Sequence, residues 1–137
     1  VLAVLAFDVA GALGTAAALF TGAVFLIAGA SKVAQGPAWP PQAAGMGVPT
    51  WLATIVPWWE IAVGALTAVG VAAPWPALAA AVTLIAFVVL IAAQLRRGRH
   101  PQCACFGAWS SAPLSGRHVW RNAGFLMVAV VAIAFSG

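Results

Sequence analysis

Four long, uninterrupted apolar runs govern what this chain can become. They cover about 9–30, 57–73 with a lead-in from Trp51, 75–95 and 119–135. Each is close to the roughly 20 residues that a helix needs to cross about 30 Å of hydrocarbon. Six Lys and Arg and two acidic residues are the only formal charges among 137 residues, 64% of which are hydrophobic, a balance that excludes a soluble globular domain of this length. A β-barrel is disfavoured because the runs are continuous and rich in Ala, Leu and Val, with no alternation of lipid-facing and lumen-facing residues. The sequence therefore predicts an all-α integral membrane protein, a four-transmembrane-helix antiparallel bundle forming a single domain over 1–137. The first run is too long for the apolar part of a signal peptide and further spans follow it, so it is read as the first helix. The chain begins at Val1 rather than Met, which leaves any preceding basic residues out of the topology argument.

The connections differ in kind. "AAPWPA", around Pro74 and Pro76, predicts a tight hairpin between the second and third helices. The stretches 31–50 and 96–118 are rich in Gly and Pro and cannot be regular helix throughout. With four spans, these two long loops share one face, and the termini and the short turn share the other. Trp39, Trp51, Trp58, Trp59, Trp109 and Trp120 lie in or beside the long-loop face and Trp75 marks the opposite boundary, so the expectation for most of them is anchoring at the headgroup level. Gly14, Ala18 and Gly22, at four-residue spacing, predict a close helix contact.

All the basic residues, Lys32, Arg96, Arg97, Arg99, Arg117 and Arg121, sit on the long-loop face. The positive-inside rule alone puts that face in the cytoplasm. Five of the six, however, bracket a pair of cysteines whose chemistry has its own use for positive charge. Glu60, in "PWWEIAVGAL", follows Pro57 closely enough to be read into the first turns of the second helix, where the helix dipole favours a negative charge. Lys32, in "GASK" at the end of the first helix, is its expected partner, because an ionisable group at that depth is costly unless matched. A bundle-locking ion pair is the plainer reading, with proton transfer as the alternative. Asp8, on the far face, reads as a solvated flank of the first helix.

Cys103 and Cys105 are the only cysteines, one residue apart in "RGRHPQCACFG". Thiol exchange needs a thiolate, and neighbouring arginines with His100 would stabilise that anion. A disulfide between such close residues needs a turned backbone, since an extended strand sends their β-carbons apart. Strain of that kind favours a bond that is transferred over one that is merely structural. Two other readings remain open. The thiols are inert and buried as small hydrophobes, or His100, Cys103, Cys105 and His118 hold a soft metal. Against the metal stand the Cys spacing, unlike the usual zinc motifs, and the repulsion of a cation by the arginines, so no metal is expected.

"GASKVA", "PWWEIAVGAL", "LRRGRHPQCACFG" and "VWRNAGFL", in this order and spread over nearly the whole chain, resemble the MauE family of methylamine-utilisation membrane proteins, related to the DoxX group. The resemblance implies a redox-associated membrane protein that assists disulfide formation or thiol transfer for exported proteins, alongside a thioredoxin-like partner. By motif it implies Cys103 and Cys105 as the redox pair, with Phe106 and Gly107 shaping the loop, Gly98 preceding it and Arg121 and Asn122 closing the site from the fourth helix; Arg97, Arg99 and His100 are the neighbours expected to favour the thiolate. It also implies an extracytoplasmic long-loop face in a cell membrane, against the charge count. Membrane thiol oxidases that deliver electrons to a quinone use two cysteine pairs, and this chain has one. Either a quinone or another acceptor meets the pair directly or a separate thioredoxin-like protein supplies the second pair, and the latter is the expectation. The rival is a non-catalytic accessory subunit of a larger membrane complex. No nucleotide loop, haem-attachment motif or nucleic-acid motif is found in the sequence.

Overall fold

The computed structural model describes residues 2–45, 47–70, 75–98 and 116–135, with the backbone alone for 2–8 and 10. The described residues are almost wholly helical. Helix α1 spans Leu2–Gln35, a 3-10 turn follows at Gly36–Ala38, and the short α2 covers Trp39–Gly45. Three long helices complete the chain: α3 (Thr50–Val69), α4 (Trp75–Arg96) and α5 (Gly116–Ala134). The sequence places the second long helix from about residue 57, with Pro57 as a starting residue. Instead α3 begins after the extended Pro49 and carries Pro57 inside it. The turn predicted around Pro74 falls on residues 71–74, outside the described residues, as does the side chain of Asp8.

The four long helices pack in a ring, α1 on α3, α3 on α4, α4 on α5 and α5 back on α1. Each neighbouring pair runs antiparallel. On α1, Gly22 meets Gly64 and Ala68 while Gly29 meets Pro57 and Ile61, so the register falls along α3 as it rises along α1. Ile91 packs beside Val119 at one end of the bundle, and Ala77 beside Ala132 at the other. The small residues of α1 serve two partners. Gly14 lies against the Phe135 backbone just beyond α5, and Gly22 lies against α3. At Gly22 an added β-carbon would stand 2.6 Å from the Gly64 carbonyl oxygen, closer than the two backbones can tolerate.

The interior is layered. Trp39, Ala43, Ala53 and Ile91 form the layer at the end where α1 finishes; Phe25, Val63, Ala80, Ala81, Leu84 and Ala129 form the middle; Ala17, Ala77 and Ala132 form the far layer. The outside is more greasy than the inside. Val69, Val82, Val89 and Met127 point outward, whereas Lys32, Glu60 and Asn122 rank with Ile91 as the largest fully buried side chains. Water would reverse that distribution; a hydrocarbon solvent favours it, because polar groups are best satisfied within the bundle. Helices α1, α3 and α4 are long and apolar enough to cross a membrane. Helix α5 does not reach the same apolarity, since Arg117, His118, Arg121 and Asn122 crowd its first turns.

Candidate functional site: a caged ion pair at the end of the bundle

The last turn of α1 brings Lys32 inward, and α3 meets it with Glu60. The Lys32 ammonium donates to both carboxylate oxygens, at 2.9 Å to Oε1 and 2.8 Å to Oε2. Both residues are 1% exposed. Glu60 stands ten residues beyond Thr50, about 15 Å along the helix, so it is not in the first turns and the dipole at the helix start does not explain its charge. Its counter-charge is Lys32 alone among the described salt bridges. Two charges in so dry a place are tolerated only because they are matched and hydrogen-bonded.

Two aromatic faces complete the cage. The Lys32 ammonium lies 5.2 Å from the centre of the Trp39 ring and 5.7 Å from that of Phe87 on α4, distances at which the electron-rich face of a ring attracts a cation. Trp39 is therefore not an interfacial anchor. It is 5% exposed, whereas Trp51, Trp58, Trp59, Trp75 and Trp120 are between 47% and 80% exposed. Trp109 lies outside the described residues.

Trp39 is fixed by a defect in α3. Proline has no backbone N–H, so the carbonyl four residues before it loses its helical donor. For Pro57 that carbonyl belongs to Ala53, and the Trp39 indole N–H donates to it at 2.6 Å. The short α2 thus carries a ring that both satisfies the proline break and covers the ion pair. One turn further along the same face of α3, Gly29 of α1 sits against the carbonyl of Pro57, where any side chain would push the helices apart.

A second polar group lies at the same end. Helix α4 ends at Arg96, followed by exposed Arg97 and by Gly98, which adopts a left-handed φ of 70° and donates its N–H to the Leu95 carbonyl. Gln94 in the last turn of α4 and His118 and Asn122 in the first turns of α5 are all buried, with Arg121 half-buried beside them in sequence. Because α4 and α5 pack antiparallel, these groups flank the two ends of the segment 99–115. Cys103, Cys105, Arg99, His100, Phe106 and Gly107 lie in that segment, outside the described residues. Of the residues weighed for a metal, only His118 is described, and among the described residues no three of His, Cys, Asp and Glu come together.

The structure brings Lys32 and Glu60 together and places Arg97, Gly98, Arg121 and Asn122 at the same end of the bundle. Sequence reasoning missed Phe87 and Gln94 as parts of this end, and grouped Trp39 with the headgroup anchors instead of with the ion pair. The signal that could have found Trp39 is an interior proline, whose freed carbonyl some donor must meet, but Pro57 reads in the sequence as a first-turn proline.

The family model described as methylamine utilisation protein MauE matches residues 10–135. Comparison with curated proteins and with solved structures gives no match.

Proposed function

The chain belongs to the MauE family, and from that premise we propose that it is a membrane thiol–disulfide redox protein whose working groups are Cys103 and Cys105. The family description supplies the setting, methylamine utilisation, in which the chain assists the maturation of an exported protein. In this reading α5 is the fourth span, the protein is a four-helix domain of the cell membrane, and the cysteine segment faces the extracytoplasmic side.

One observation carries the reading. The chain's only two cysteines, one residue apart, lie in the segment that joins Arg96 at the end of α4, with Arg97 and Gly98 just after it, to the first turns of α5, which carry Arg117, His118, Arg121 and Asn122. A thiolate beside such cations is stabilised relative to its thiol. The rigid helices provide what exchange chemistry needs, a fixed mount for a loop that presents sulfur to another protein.

The chemistry is reversible exchange. A thiolate of the pair attacks one sulfur of a thioredoxin-like partner's disulfide, forming a mixed disulfide and releasing the partner's other sulfur as a thiolate. The second cysteine then attacks the mixed disulfide. Cys103 and Cys105 end as a disulfide, and the partner leaves with two thiols and two electrons. Run backward, the same steps oxidise the partner's dithiol. The relative reduction potentials set the direction.

The test is to replace Cys103 and Cys105 singly by Ser in the membrane-embedded protein and to capture adducts after acid quenching. The reading expects a mixed disulfide with a thioredoxin-like protein from one variant, released by reductant. If neither variant yields an adduct and both support methylamine-dependent growth like the parent, the accessory-subunit reading replaces it.

A further inference from the structure

Two polar side chains, one on α1 and one on α3, are buried away from the ion pair. Thr21 is 3% exposed and Thr67 is 4% exposed, and among the described residues the hydroxyl oxygen of each is without a hydrogen-bond partner. This is not the usual fate of a threonine in a helix. Thr54 and Thr83 return their hydroxyls to their own helices, donating to the carbonyls of Thr50 at 3.0 Å and Ala79 at 2.8 Å. Thr21 and Thr67 have the same option four residues back and do not take it.

The register puts the two at one level. Gly22, next to Thr21, lies against Gly64 and Ala68, and Thr67 stands between those residues on α3. On the side of that level away from Phe25 and Val63, the buried side chains of α1, α4 and α5 are small: Ala17, Ala77 and Ala132. Two buried hydroxyls, each able to donate and accept, thus lie at the edge of a layer of alanines.

We propose that Thr21 and Thr67 form a hydration site inside the bundle, which binds water between α1 and α3 at membrane depth. A buried water needs two or more polar partners and room for itself. The two hydroxyls supply the partners, and the alanine layer is where the core is least filled by large side chains. An unmet buried hydroxyl keeps the full cost of its lost hydration, and a shared water removes that cost at both residues together. The site is separate from the caged pair. Phe25 and Val63, both buried and in one cluster, occupy the level between them, and Thr67 is seven residues from Glu60, about 10 Å along α3. The inference does not depend on the role of the cysteines.

Two measurements on the full chain in lipid bilayers test it. In water-edited solid-state NMR, magnetisation from water should reach the side chains of Thr21 and Thr67, though not those of Phe25 and Val63. In thermal unfolding, Thr21→Val and Thr67→Val should each lower the midpoint by a few degrees. Combined, they should lower it by less than the sum of the two, because the first substitution already disrupts the shared water. Thr54→Val measures the loss of a hydroxyl bonded to its own helix. If water transfer to both threonines is absent, or if the valine variants raise the midpoint because a dry unmet hydroxyl has been removed, the site does not bind water and the proposal is overturned.

Discussion

The indole N–H of Trp39 donates to the Ala53 carbonyl, 14 residues away in sequence, and does so because Pro57 cannot. This contact fastens the segment between α1 and α3 to the wall of the bundle and sets the ring beside Lys32. A helix break, a hydrogen bond and a cation–ring contact are therefore one arrangement.

Trp39→Phe keeps a ring over Lys32 and removes the donor. It should destabilise the protein by about 1–3 kcal/mol, the range for stranding a buried acceptor. In a Pro57→Ala background the new backbone N–H can take the Ala53 carbonyl, so the same Trp39→Phe change should cost clearly less. Denaturant unfolding of the four proteins in mild detergent measures the coupling, and equal costs in both backgrounds would refute the link.

The ion pair makes a second prediction. Lys32→Met or Glu60→Gln alone leaves a buried charge without its counter-charge and should cost about 3–5 kcal/mol or abolish folding. The double variant should recover much of the loss. Yield and thermal midpoint after membrane extraction give the comparison, and additive losses would show that the two residues act separately.

Orientation is tested by access. A membrane-impermeant maleimide added to intact cells under reducing conditions should label Cys103 and Cys105. Labelling only after lysis would place the segment in the cytoplasm, where the charge count alone puts it.

Local charge should tune the thiols. If Arg97 and Arg99 serve the exchange, alkylation of single-cysteine variants should titrate below the ordinary thiol range, and Arg97→Gln with Arg99→Gln should move the curve upward. A curve that ignores both substitutions would separate the arginines from the chemistry.

Much of this architecture was legible because lipid imposes simple rules. Long apolar runs become helices, and a lone Lys and a lone Glu within such runs need each other. The beginning of α3 was not legible. Pro57 followed the pattern of a first-turn proline, and only the arrival of Trp39 from another helix makes an interior proline tolerable there. Trp39 was obscured by company, since five other tryptophans are exposed and composition cannot separate one ring that turns inward. The polarity of Thr21 and Thr67 was equally hidden, because threonine in an apolar run ordinarily satisfies itself. The polar opening of α5 lay in plain view in "RHVWRN", yet its effect on that helix's apolarity was masked by the greasy run that follows.

The position of Lys32, three residues before the end of α1, has a consequence for biosynthesis. The ribosome delivers α1 before α3, so the ammonium must wait for a carboxylate not yet made. A long, flexible stem close to a helix terminus can meanwhile hold its charge up among the lipid headgroups. Arrival of Glu60 then draws the amine down into the bilayer, and Trp39 can shut above it only afterward. The burial of the charge at the end of α1 thus depends on a helix that the ribosome makes later.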